Sequence, residues 1–229
     1  MVTQVGGRSK LAYVWAKTRT VIEFYSVLII VSIVFFFAEL VQPSSLSLLS
    51  SARVSPWGVL TSIFVHWPFE HLLLNIAGIG VSTILLVGIV LFNSETNPNR
   101  VSLFFCLCPF VSAVVANILF LAFLPESISY GASGVLYAME GVLIMACLLN
   151  VFRTISYVKI RTYFSERQYR LHFSYHILIF LSYFLLIIFY PSLFLNIQQG
   201  VNVFTHVVSL LLGLFATLFY YNLRQKQNL

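Results

Sequence analysis

The chain has 229 residues, of which 59% are hydrophobic and only 9% charged, and its mean hydropathy is +0.93. A soluble domain carries roughly a quarter charged residues, so this composition excludes an ordinary soluble fold and makes lipid the main solvent. The formal net charge is +6, and all seven acidic residues are Glu with no aspartate anywhere, which excludes an aspartyl protease and a Ser-His-Asp triad.

In chain order, the first twenty residues hold Arg8, Lys10, Lys17 and Arg19 without the apolar core and small-residue site of a cleavable leader, so no leader is expected. A bilayer core takes about 20 apolar residues in helix. Six stretches meet or approach that length, at 22–41, 71–92, 101–124, 134–150, 172–190 and 201–221. The expected fold class is an all-α membrane protein, a six-transmembrane-helix bundle with both termini cytoplasmic. Its expected parts are a basic N-terminal segment (1–21), a membrane domain (22–221) and a C-terminal tail (222–229). The connection 42–70 carries Pro43, Pro56, Pro68, Trp57 and Trp67 around an apolar run at 59–65. That run is too short to span, and tryptophans favour the interface, so the connection reads as a segment lying in the outer leaflet. The fourth stretch is only ~25 Å long as helix, so it is expected to begin below the membrane surface.

Lys and Arg placement sets orientation. With the N-terminus inside, the inner segments hold Arg8, Lys10, Lys17, Arg19, Arg100, Arg153, Lys159, Arg161, Arg167, Arg170, Arg224 and Lys226, and the outer ones only Arg53. The basic excess reads as a topology determinant contacting anionic lipid rather than as a nucleic-acid surface. Cys106, Cys108 and Cys147 lie in apolar stretches, form an odd count and lack metal-ligand spacing to histidine. They read as small buried residues, not as a disulfide framework.

Strongly polar side chains inside a bilayer are costly, so each is a functional candidate. The candidates are His71 and Asn75 on the second span, Ser133 and Glu140 on the fourth, His176 on the fifth and His206 on the sixth. The second, fourth and sixth spans run in the same direction. His71, Asn75, Ser133 and His206 therefore fall at a similar depth below one face. Gly134, Ala138 and Gly141 on the fourth span and Ser209 and Gly213 on the sixth form small-residue patterns that let backbones approach, and His206, Ser209 and Gly213 share a face. In Tyr130-Gly131-Ala132-Ser133-Gly134, glycines flank a serine at a helix start, whose N–H groups have no intrahelical partners and favour an oxyanion. Taken alone, Gly131-Ala132-Ser133-Gly134 is more commonly a helix cap with packing glycines.

These residues resemble the rhomboid family of intramembrane serine proteases. Gly131-Ala132-Ser133-Gly134 matches its Gly-x-Ser-Gly motif, with Tyr137 and Gly141 at family spacing. His66, His71 and Asn75 match its His-x4-His-x3-Asn pattern, and His206 matches the histidine of its last core helix. The resemblance implies that Ser133 is the nucleophile and His206 the general base and then acid, a dyad that needs no aspartate. It implies an oxyanion hole of Ser133 N–H, His71 and Asn75, with Tyr137 packing on the His206 ring and His66 in structural support. It also implies single-span transmembrane protein substrates cut near the outer face after arriving beside the second and fifth spans, a lipid environment and no cofactor, metal or nucleic acid. A multi-pass location in a prokaryotic plasma membrane is the simplest expectation.

Two positions depart from the pattern. Ser209 stands where the family usually has glycine, and its hydroxymethyl is expected to widen the crossing of the fourth and sixth spans slightly. Glu140 lies about 10 Å deeper than Ser133. It reads as a buried glutamic acid bonded to a neighbouring helix, or as support for His206 through Tyr137. His176 reads as a satisfied interhelical histidine or a packing residue, and His172 as interfacial. Two alternatives to an enzyme stand beside it. One is a catalytically silent rhomboid-like protein that binds membrane clients. The other is a small transporter, which should show inverted repeats that this sequence lacks. His-Glu-x-x-His is absent, against a zinc protease.

Overall fold

In the computed structural model the six apolar stretches are six long helices linked by short ones. The structure describes residues 7–43, 48–51, 55–92, 98–124, 126–157, 167–194 and 202–227. The elements are α1 (Gly7–Val41), α2 (Gly58–Thr61), α3 (Phe69–Phe92), α4 (Pro98–Phe123), α5 (Ser133–Tyr157), α6 (Arg167–Phe189), α7 (Pro191–Phe194) and α8 (Val203–Gln227). Six of these, α1, α3, α4, α5, α6 and α8, are long and apolar enough to cross a bilayer. Arg53, Lys159 and Arg161 of the expected topology, and residues 228–229 of the tail, lie outside the described residues.

Two helix lengths differ from the sequence reading. Helix α1 begins at Gly7, so the helix runs back through much of the basic segment ahead of the apolar stretch. Helix α5 does not stop near residue 150, and its apolar span Ser133–Ile155 has 23 residues. The fourth span is therefore not short. Hydropathy falls at Asn150 and Arg153, but the backbone helix continues because the Arg153 guanidinium finds a partner, 4.8 Å over the Tyr221 ring of α8. A long cationic side chain can cover apolar surface and keep its head in a favourable field.

Helix α5 is the most enclosed span and α6 the least. Val135, Met139, Val142, Leu143, Ala146 and Cys147 of α5 form the middle of the core. Its most extensive packing is against α8, followed by α4, α6 and α3. Lipid tails are as apolar as these side chains, so close packing and polar bonds hold the spans together rather than escape from water. Cys106, Cys108 and Cys147 are free and buried.

Helix α4 contains Pro109. Proline has no N–H, so the carbonyl four residues back loses its helical partner. That carbonyl belongs to Phe105, and the Tyr25 hydroxyl of α1 donates to it at 2.7 Å. A defect in one helix thus becomes the bond that fastens it to another.

The ends of the bundle differ in character. At one end Lys17 Nζ donates to Leu91 O at 3.1 Å and Ser102 Oγ to Lys17 O at 3.2 Å, and Arg153 and Arg224 lie over Tyr221 and Tyr220. At the other, the connection after α1 folds onto the bundle instead of entering it as a span, and α2 has only four residues. Ser51 and Ser129 exchange main-chain hydrogen bonds of 2.8 and 3.0 Å. Asn117 Nδ2 of α4 donates to Val59 O and Ser62 Oγ, both at 3.1 Å. These bonds set the frame in which the chain turns into α5.

Candidate active site

Ser133 is the first residue of α5, one position later into the helix than the sequence reading had it. The turn that delivers it depends on Gly131, whose φ of +109° is a backbone state that L side chains rarely adopt. Space reinforces the conformation, since a Cβ at Gly131 would stand 2.8 Å from His71 Nε2. The Gly131 N–H donates to Ser62 O at 2.8 Å, and the Ala132 N–H donates to His66 Nε2 at 3.0 Å. The turn is therefore tied on both sides to the folded connection. Because the helix begins at Ser133, its own N–H lies ahead of any intrahelical acceptor.

His66 is fully buried. With Nε2 accepting from Ala132, its Nδ1–H donates to Phe64 O at 3.1 Å, an arrangement that requires the neutral ring. Burial lowers its pKa to about 4, neighbouring His71 pushes the same way, and the Phe64 carbonyl opposes them. A histidine in the unfolded chain takes up its proton near pH 6.5, so this contribution to stability is whole above that pH and is lost as pH falls toward 4. Thermal unfolding of wild type and His66→Gln in detergent should show a stability gap that is widest near about pH 7.5 and narrower near about pH 4.5. A gap independent of pH would remove His66 as the neutral strut.

His71 lies in the first turn of α3, its ring 5.6 Å from that of His66 and 6.1 Å from that of Tyr130. Asn75 is buried one turn on. Its Nδ2 donates to His71 O at 2.8 Å, which fixes the amide and leaves one N–H for another acceptor. Asn75 Oδ1 is buried without a partner among the described residues.

On the facing side His206 sits in the first turn of α8, nearer the helix start than the expected five residues. The Tyr137 ring, one turn below Ser133, stacks on the His206 ring with centroids 4.1 Å apart and planes at 23°. A Cβ on Gly134 would stand 3.3 Å from both Thr205 Cγ2 and Ser209 Oγ. The residue after Ser133 therefore touches the residue before His206. Further down, a Cβ on Gly141 would collide with Leu210 O, and one on Gly213 with Ala138 O. The buried Oγ of Ser209 lies within this crossing and has no hydrogen-bond partner among the described residues. Ser133 and His71 keep partial exposure, whereas His66, Asn75, Tyr137 and His206 are buried.

The sequence reading missed Asn202. Its Oδ1 accepts the Thr205 N–H at 3.1 Å, capping α8, and its Nδ2 donates to Thr205 Oγ1 at 2.6 Å and to Ser129 Oγ at 2.7 Å. One amide thus joins the strand of chain leading to Ser133 with the turn carrying His206. An asparagine three residues before a threonine at the start of an apolar run is a cap signal that was open to reading.

Other candidates stand apart. His176 Nδ1 is hydrogen-bonded within its own helix, to His172 O at 2.7 Å. Its Nε2 is buried with no partner among the described residues, so the interhelical bond expected of it is not found there. Glu140 Oε2 is likewise buried and without a hydrogen-bond partner among the described residues. Among the described residues no three His, Cys, Asp or Glu side chains gather where they could hold a metal ion.

Among curated proteins none matches the chain. A family model described as Rhomboid domain matches residues 53–223, from within the connection after α1 to near the end of α8. The match leaves α1 outside. Six apolar helices and this match make the chain a multi-pass membrane protein that belongs to the rhomboid family.

Proposed function

We propose that the protein is an intramembrane serine endopeptidase with Ser133 and His206 as its dyad. The observation that carries the reading is the pair of contacts bracketing the two residues, Gly134 against Thr205 and Tyr137 stacked on His206. In this reading Ser133 Oγ adds to a peptide carbonyl carbon while its proton passes to His206. The developing oxyanion is held by the Ser133 N–H, the free Asn75 N–H and His71. The C–N bond breaks as His206 returns the proton to the leaving amine, leaving an acyl group on Ser133. A water then gives a proton to His206 and adds to the ester carbonyl, and His206 reprotonates Ser133 as the ester bond breaks. Tyr137 fixes the imidazole plane, His66 holds the Ala132 amide in the turn, and Gly131 and Gly134 allow the two close approaches.

The working unit is the six-span domain of residues 22–221, with the basic end cytoplasmic and Ser133 toward the outer face. Substrates are single-span membrane proteins arriving through lipid in a cell membrane, a prokaryotic plasma membrane being the simplest location. Neither cofactor nor metal takes part. A fluorophosphonate probe tests the reading: it should label the wild type and not Ser133→Ala. Absence of labelling on folded wild-type protein would leave a silent, client-binding family member.

Asn202 is a positioning residue in this scheme. Asn202→Asp keeps the capping oxygen but loses both N–H donors, and is expected to lower kcat about tenfold with KM unchanged. Ser129→Ala should give a similar loss, and the double variant should be no worse than either single one. Additive losses in proteoliposome cleavage would show that the Asn202–Ser129 bond does not act as a unit.

A further inference from the structure

We propose that Glu140 is a specificity-determining residue whose carboxyl receives a hydrogen-bond donor or cationic side chain from the substrate's membrane-spanning segment, below the bond that Ser133 cuts. The proposal rests on the protease reading.

Glu140 lies two turns along α5 from Ser133, on nearly the same side and about 10 Å further down. Tyr137, on the same helix, and Tyr183 of α6 are within electrostatic reach of its carboxyl. Tyr183 also shares a hydrogen bond with Ser82 of α3. Glu140 thus looks toward the seam between α3 and α6. Helix α6 is the least enclosed span, and its substantial packing on another span is with α5. Its attachment to α3 is concentrated at the end remote from Ser133. There the Tyr175 hydroxyl donates to Leu85 O at 2.7 Å in a notch left by Gly88, and the Tyr175 and Phe92 rings lie 5.1 Å apart. Beyond Tyr183 the face of α6 carries exposed Phe184, Leu185, Ile188 and Phe189. The seam is fastened by Tyr175 at one end and by Tyr183 on Ser82 further along, carries lipid-facing side chains beyond Tyr183, and is floored by α5.

A carboxyl at this depth is costly and calls for a partner. Of the groups around it, the Tyr137 ring stacks on His206, and Tyr183 bonds Ser82. Glu140 Oε2 is buried and has no hydrogen-bond partner among the described residues. A second transmembrane helix brought against the seam has its main-chain donors satisfied internally, so what it can offer an acceptor is a side chain: Lys, Arg, Asn, Gln, Ser or Thr. A buried acceptor left unpaired in one complex and satisfied in another discriminates between the two substrates.

The test is a set of single-span substrates in proteoliposomes, identical except for one Leu→Asn or Leu→Lys change scanned through the residues below the scissile bond. The wild type should prefer the donor-bearing substrate at one register by about 10- to 100-fold in kcat/KM. Glu140→Leu should bring that ratio to about 1. Glu140→Gln should keep the preference for Asn and lose that for Lys. A Glu140→Leu variant that slows every substrate in equal proportion, or a wild type with no preference at any register, overturns the proposal. If no substrate is cut at all, the protease reading has failed. Fluorescence-measured binding of the Asn-bearing and all-Leu peptides to wild type and Glu140→Leu then decides the role of Glu140 alone, equal binding of both peptides to the wild type counting against it.

Discussion

Ser133→Ala is expected to yield a folded six-span protein whose cleavage rate is lower by on the order of 10⁴-fold or more. The bonds that shape the turn come from the main chain of Gly131 and Ala132 and from the His66 ring, and none uses the Ser133 hydroxyl. Alanine is also the best helix former, and Ser133 already stands at the helix start in partial exposure. Stability should therefore stay within roughly 0.5 kcal/mol of wild type, with the loss confined to kcat. His206→Ala should cost as much activity but also lower stability, because the Tyr137 ring loses the surface it stacks on. Cleavage of a tagged single-span protein in liposomes, with thermal unfolding in detergent on the same samples, separates the two signatures. A Ser133→Ala protein that still cuts would refute the assignment.

Gly141→Ala should be strongly damaging to stability. The added carbon would strike Leu210 O and lie 2.9 Å from Leu214 N. Both are backbone atoms of α8 that no rotamer change can move. Alanine gains up to about 1 kcal/mol over glycine in helix propensity, yet forced separation of a packed crossing costs about 1–3 kcal/mol, so the net effect is loss. Activity should fall with it, since the same crossing sets the distance between the start of α5 and the start of α8. Gly80→Ala is the internal control, because nothing lies within 4 Å of a Cβ there, and it should be neutral or stabilising. Detergent unfolding midpoints that rank the two variants alike would mean that the crossing is looser than these contacts indicate.

The six spans were legible because each is a long apolar run, and the site was legible because polar residues of three parallel spans fall at one depth. Gly134, Gly141 and Gly213 were readable as close-packing positions and are found at the α5–α8 contact. Helix ends were less legible. Hydropathy marks where lipid begins, not where hydrogen bonding stops, so it gave neither the start of α1 at Gly7 nor the run of α5 through Arg153. Bonds between distant segments left no local trace. Nothing near Pro109 announces Tyr25 from α1 as the donor to Phe105 O, and nothing near Ser129 announces Asn202. Glu140 was visible as an anomaly, but only the surroundings of its carboxyl distinguish a helix-to-helix bond from an unsatisfied acceptor.

The guanidinium of Arg153 over Tyr221 has a mechanical consequence. It clamps α5 to α8 near their ends remote from Ser133, while Gly134, Gly141 and Gly213 clamp them from the middle to the end at Ser133. Two rods held at separated points along their length cannot pivot against each other. Whatever displacement admits a second chain must therefore be borne by peripheral rods, with Ser133 and His206 carried as a fixed jaw.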